Sequence, residues 1–224
     1  MEYRNVPMTS RAHTSPLPIL LLGAGGFAEE VADLIEDSPG YEVVGFVESA
    51  DRARCSQPVG DRPVYWVEDI GRYAHDHLAL SALGATNRNV FIERVAAEGF
   101  RFATVRHPTA HVSRTAVLEP GAFIGAGVVV GAHSRIGPHA LLNRGVLVGH
   151  HVEVSSCVSL MPGANLGGSS TVGAMSYVGM GALVLNNVRV GRSCMVGAGA
   201  VVTRDVPDGL KVRGIPAKAF DSVE

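Results

Sequence analysis

The residues best suited to chemistry are the adjacent pair His150-His151. An imidazole titrates near neutrality, so it can take a proton from an attacking amine or hydroxyl at physiological pH. The pair stands in a stretch dominated by small and aliphatic residues, where a purely structural repeat has no use for it. Other chemistries lack their parts. A metal centre is not expected, because adjacent side chains diverge along a strand and no acid or cysteine sits at ligand spacing. No carboxylate lies between Glu153 and Asp205, which argues against paired-carboxylate hydrolysis. Ser155, Ser156 and Ser159 follow closely, but no G-x-S-x-G elbow is present. Direct acyl transfer is compatible with these residues. It needs one base, a dry groove and backbone N–H donors for the oxyanion. His133 and His139 are read as surface residues.

What must position this pair is a strict repeat. Steps of six from Val112 through Ile124, Ile136, Val148, Leu160 and Val172 to Val202 land on an aliphatic residue sixteen times without a slip. Gly follows the aliphatic in nine cases, and a small or β-branched residue stands four places after each. A hexapeptide period marks a parallel β-helix. The aliphatic residue faces inward and stacks on its equivalent in the next coil, so stability comes from neighbouring coils. The small position also faces the cramped interior, where a larger side chain would overpack. The Gly-rich position is expected to permit the backbone turn between flat sides.

The segment before the repeats reads as a small α/β unit. Ile19–Leu22 is an apolar strand, followed by Gly23-Ala24-Gly25-Gly26-Phe27-Ala28 and a helical pattern. Strand, glycine-rich turn and helix open a nucleotide-binding unit, in which free N–H groups at the helix N-terminus receive a phosphate. Ala28 stands where a dinucleotide fingerprint has its third Gly, which argues against a dinucleotide dehydrogenase. A second strand over Tyr41–Val47 ends at Glu48, where an acid commonly meets a ribose or base edge. Further strands are expected at Val64–Val67, Leu78–Leu83 (closed by Gly84) and Phe102–Val105, with a helical turn at Glu68–Tyr73 and a helix over Asn87–Gly99. The chain therefore divides into a flexible tail (1–17), a Rossmann-like domain (18–104), and an all-β parallel β-helix with a C-terminal tail (105–224).

The 224 residues are 46% hydrophobic and 18% charged, with net charge −2, which argues against a nucleic-acid or anionic-membrane surface. Cys55, Cys157 and Cys194 have no paired spacing, and Leu20–Leu22 is too short for a signal core or membrane span, so a reducing cytoplasm is expected. From Val154 through Val188 there is no charged residue at all. A solvated face would carry several, so another copy of the chain is expected to cover it.

The hexads, the segment Asn143-Arg144-Gly145-Val146-Leu147-Val148-Gly149-His150, the phrase Pro162-Gly163-Ala164 and the terminal Gly214-Ile215-Pro216-Ala217-Lys218 resemble the left-handed β-helix acetyltransferases. With Gly23-Ala24-Gly25-Gly26 in front, the resemblance over roughly 18–220 is to their nucleotide-sugar subgroup, which includes UDP-4-amino-sugar N-acetyltransferases and sialic acid O-acetyltransferase-like proteins. It implies three hexads per coil and a homotrimer with acetyl-CoA in the groove between neighbouring coils. It implies that His150 is the general base, with Asn143 close to the sugar; His151, standing where the family has an acid, is a further catalytic candidate that could share the job. Gly168 would offer its amide to the acetyl oxygen. Ser159, Met180, Ala198 and Lys218 would line the CoA groove, and Gly25, Gly26, Phe27, Glu48, Ser49 and Gly84 would hold the nucleotide of the sugar substrate. The chain departs from the family pattern at His151, where an acid usually follows the base, at Ser159, where a second His is common, and at Phe27 and Ser49. The activity implied is acetyl transfer from acetyl-CoA to the amine of a nucleotide-linked amino sugar. Acetylation of a sialic acid or other sugar hydroxyl, and a non-catalytic nucleotide-sugar-binding scaffold, are the alternatives.

Overall fold

The computed structural model describes residues 15–84 and 88–220. Residues 1–14 of the expected tail, Asn87 of the expected second helix and the last four residues lie outside the described residues.

The first unit is a parallel five-stranded sheet. β1 (Leu17–Leu22) leads into α1 (Gly26–Glu36), then β2 (Tyr41–Glu48), β3 (Val64–Trp66), β4 (Leu78–Ser81), α2 (Asn89–Ala97) and β5 (Arg101–Phe102). The strand order is β3-β2-β1-β4-β5, so the chain reverses direction across the sheet between β1 and β4. β1 is buried on both faces, as a continuous apolar run in a parallel sheet should be. The expected helical turn at 68–73 is two short 3-10 turns, Val67–Asp69 and Gly71–Tyr73. The expected strand Phe102–Val105 is divided. Arg101–Phe102 closes the sheet, whereas Val105–Arg106 pairs with Phe123–Ile124 and is the first rung of the coil.

From there the hexads wind into a three-sided left-handed parallel β-helix. Each two-residue strand pairs with the strand eighteen residues on, as Val129↔Leu147 and Leu147↔Asn165 do, so three hexads make one coil. The first face carries Leu147–Val148, the second Glu153–Val154 and the third Ser159–Leu160, each with its equivalents above and below. The aliphatic ladder points inward: Ile124, Ile136, Leu142, Leu160, Leu166, Val172 and Val178 are fully buried. At the small positions Ala122, Ala164, Ser170 and Ala182 are buried with them. Val112 and Leu118, in the opening coil, are only partly buried because no coil lies beneath them. Beyond the hexads, Lys211–Arg213 adds a rung to the third face and Lys218–Ala219 folds back on it.

One expectation about the corners is corrected. The glycine directly after the aliphatic does not supply the left-handed turn. That conformation falls three residues after the aliphatic, at Gly145 (φ 67°) and Gly163 (φ 70°) and also at His133, His139, His151 and Asn187. His and Asn tolerate this region better than most side chains. The glycine next to the aliphatic is needed for a different reason. A Cβ on Gly131 would sit 2.6 Å from the Gly149 carbonyl of the next coil. The backbones approach too closely there for any side chain.

The two units pack together. Phe123 and Leu141 on the third face join the core formed by β1, α1 and β2, and Cys157 and Met175 join the core beneath α2. Arg144 reaches Glu30 of α1 at 2.7 Å. Arg88 makes the deepest tie. Its buried guanidinium donates to Ser159 Oγ (2.7 Å) and to the carbonyls of His139 (2.8 Å) and Val158 (2.9 Å). Burial lowers its pKa to about 10, so it stays a cation at neutral pH.

Candidate active site

The eighteen-residue coil decides which side chains can meet. Residues of one hexad phase share an edge only when they are eighteen apart. His150 and Gly168 satisfy this and stand one above the other on the first edge. His150 is exposed, and its Nε2 lies so close over Gly168 that a Cβ there would be 2.7 Å away. The N–H of Gly168 donates to no described residue, while its carbonyl accepts from Asn187 at 3.0 Å. On its other side the His150 ring meets His151, Nδ1 to Nδ1 at 3.0 Å. The first edge thus sets an exposed ring nitrogen beside the buried Gly168, whose amide has no partner among the described residues.

Met180 and Ala198 are also eighteen apart, but thirty residues separate Met180 from His150. They therefore stack on the third edge, together with Arg144 and Pro162, and both are exposed. The first face lies between the two edges. Asn143 opens the third edge, is buried, and its Oδ1 accepts from the Arg144 N–H at 2.7 Å. Lys218 is exposed on the last strand of the third face. One chain brings His150, His151 and Gly168 together and leaves Met180, Ala198, Asn143 and Lys218 on the other side of the first face.

The nucleotide-type residues gather at the carboxyl ends of β1, β2 and β4. An open parallel sheet takes its ligand at the point where strand order reverses. The turn after β1 and the turn after β4 border that point, and Gly23 lies against Leu83 closely enough that a Cβ would meet its side chain at 2.7 Å. The backbone N–H groups of Gly26 and Phe27 have no partner among the described residues, and nothing lies within 4 Å of a Cβ built on Gly25 or Gly26. A cleft of about 340 Å³ borders Ala24 and Arg54. A second, of about 300 Å³, is lined by Ser49, Leu83, Arg88 and Arg94. Glu48 is partly engaged by its own turn. Its Oε1 accepts from the N–H groups of Ser49 and Ala50, both at 2.8 Å, and Oε2 is 3.7 Å from Arg54. Arg54 in turn donates to the Ala24 carbonyl at 2.6 Å.

Ser159, expected in the CoA groove, is instead fully buried where the two units meet. It receives Arg88 and donates to the Gly84 carbonyl at 3.1 Å, so a residue expected beside CoA is bonded to one expected beside the nucleotide. His139, expected on the surface, packs edge-on against Phe102 at 4.6 Å. Burial, and then the nearby Arg88 charge, hold its pKa below the usual value. Neither Arg88 nor Arg54 was picked out by sequence pattern. Arg54 lies in the 3-10 turn Arg52–Ser56 and Arg88 caps the start of α2, positions where no period marks a residue for contact with another element. Among the described residues, no group of three or more His, Cys, Asp and Glu is placed to hold a metal, and no helix is long and apolar enough to cross a membrane.

Known proteins match this arrangement. Residues 18–86 match the family described as the PglD N-terminal domain. The structure of PerB from Caulobacter crescentus in complex with CoA and GDP-perosamine is 31% identical, with a TM-score of 0.84, covering 95% of this chain and 100% of PerB. The chain belongs to the left-handed β-helix sugar N-acetyltransferases. The acetyltransferase domain of PglB from Neisseria gonorrhoeae is similar to this acetyltransferase at 30% identity and TM-score 0.84, over 91% of this chain and 100% of that domain. No curated protein matches the sequence.

Proposed function

We propose that this acetyltransferase moves acetyl from acetyl-CoA to the amine of a nucleotide-linked amino sugar, with His150 as general base and no covalent enzyme intermediate. The observation that carries this reading is His150 Nε2 set against Gly168, whose amide has no partner among the described residues. The sugar nitrogen attacks the thioester carbonyl and its proton passes to Nε2. The carbonyl oxygen becomes an oxyanion that the Gly168 N–H stabilises. Collapse breaks the C–S bond, and the thiolate of CoA leaves with the proton held by His150. Support for the substrates comes from the relatives. PerB was solved with CoA and GDP-perosamine, and the PglB domain with acetyl coenzyme A.

The working unit in this proposal is a cyclic homotrimer. The first face presents Val129, Leu147 and Leu183 to solvent, each between 39% and 43% exposed, and carries no Lys, Arg, Asp or Glu. The second face, by contrast, carries Arg135, Glu153 and Arg189. An apolar stripe of this kind is buried by a copy of the chain. In a ring the contact is head-to-tail, so the first edge of one copy meets the third edge of the next. Such a seam supports a CoA groove built from His150 and Gly168 of one copy with Met180 and Ala198 of its neighbour. The nucleotide is held at the switch point between β1 and β4, with Gly25, Gly26, Phe27, Ser49 and Gly84 at its mouth.

Thiol release from acetyl-CoA, assayed with UDP-, GDP- and dTDP-linked 4-amino sugars, tests this reading. Turnover with one of them is expected, together with a loss of kcat of about 10²-fold or more in His150→Ala. Native kcat in that variant would remove the proposed base.

A further inference from the structure

An imidazole that works through Nε2 must keep that nitrogen bare, and the proton must then sit on Nδ1. Where an acid follows the base, the carboxylate accepts that Nδ1 proton and fixes the tautomer. Here the next residue is His151, and it touches His150 through one atom pair only, Nδ1 to Nδ1 at 3.0 Å. Two ring nitrogens at that distance share one proton, so one must donate and the other accept. The rings meet nearly edge to face, at 84°.

The His151 ring has a second aromatic neighbour. His133, one coil below and at the same left-handed corner, stacks on it with centroids 5.0 Å apart and an angle of 37°. The rest of the first edge is small or uncharged near the pair: Thr115, Ala132, Gly168, Ser169, Asn186 and Asn187. Its charges are Arg114, two coils below the pair, and Arg204 and Asp205, three coils above. No carboxylate stands on this edge within two coils of the pair: Asp205 is three coils above, where its Oδ1 accepts from the Arg189 N–H at 2.8 Å, and Glu153 belongs to the second face.

We infer that His151 is the positioning residue for His150, accepting the Nδ1 proton on its own Nδ1 and leaving Nε2 of His150 bare over Gly168, with His133 propping the His151 ring from below. His151 then holds its own proton on Nε2. A neutral ring thus does the orienting task of a carboxylate without adding a negative charge. The inference rests on His150 being the base, and its test separates the two.

Long-range ¹H–¹⁵N spectra of the native protein, at a pH where imidazoles are neutral, read the tautomers directly. The expected result is an Nδ1–H tautomer for His150 and an Nε2–H tautomer for His151. Two substitutions fit the left-handed corner without strain. Gly occupies its equivalent at Gly145 and Gly163, and Asn occupies it two coils above, at Asn187 (φ 62°). His151→Gly removes the acceptor. Its kcat is expected to fall about 10- to 10²-fold with the KM for acetyl-CoA within about twofold, and the His150 tautomer is expected to become mixed. His151→Asn keeps an acceptor, Oδ1, where Nδ1 stood, and is expected to retain kcat within about threefold. A native spectrum with Nδ1 of His150 unprotonated, or native kcat in His151→Gly, would overturn the inference. If His150→Ala keeps native kcat while the spectrum still shows the shared proton, it is the base assignment that fails and not the contact.

Discussion

Gly168→Ala is the most informative single change at the site. The backbone there lies outside the left-handed region, so alanine carries no conformational penalty. The added methyl would stand 2.7 Å from His150 Nε2 and 2.8 Å from Cε1. Non-bonded heavy atoms settle near 3.5–4.0 Å, so the imidazole must retreat by about 1 Å. It can do so at little expense to the fold, because it is an exposed side chain on an edge. A displacement of that size at a reacting group costs on the order of 10²-fold in rate. The expected outcome is kcat lowered about 10²-fold in the thiol-release assay, with a melting temperature within a few degrees of native. Native kcat, with the ring shown by crystallography to have moved, would refute the claim that Nε2 must sit at that spot.

Other perturbations test the supporting structure. Arg88→Met strips the donor from Ser159 Oγ and from two carbonyls at the junction, and should cost about 3 kcal/mol or more in urea unfolding. Leu166→Ala opens a cavity in the aliphatic ladder, expected to cost about 2–5 kcal/mol by the same measurement. Leu147→Glu sets a charge on the apolar first face, and sedimentation should show a smaller species with acetyl transfer lost alongside. His139 is held below the ordinary value of 6.5, so it is neutral when folded. Its contribution is whole above pH 6.5 and is lost as pH falls toward the folded value. Melting temperature should therefore drop more steeply on acidification in the native protein than in His139→Asn.

Much of this architecture was legible in the residues. A period of six fixes the inward ladder, because any slip would turn an aliphatic outward, and the burial of Ile124 through Val202 follows that phase. The eighteen-residue coil then dictates that His150 meets Gly168. Less legible was everything that depends on contacts distant in sequence. The glycine after each aliphatic looked like a turn former, yet its reason is the approach of the next coil's backbone, visible only once coils are stacked. Ser159 looked like a groove residue, but its −1 position on the third face puts it under the α/β unit, where Arg88 reaches it across 71 residues. His139 was misread because its phase is that of a corner, and nothing local reveals that Phe102 covers that corner. Glu48 ends its strand as expected, although its carboxylate is engaged by the turn that follows.

The central claim is that the active centre lies on a seam between copies, with the imidazole from one and the cofactor wall from the next. Co-expression of two inactive variants tests it most directly: His150→Ala, which lacks the base, and Ala198→Trp, which blocks the facing edge. In random mixed rings at equal amounts, about one seam in four joins an intact first edge to an intact third edge. The account expects the purified mixture to recover roughly a quarter of native turnover. No recovery from verified mixed rings would contradict it, since a centre contained within one chain cannot be complemented by another.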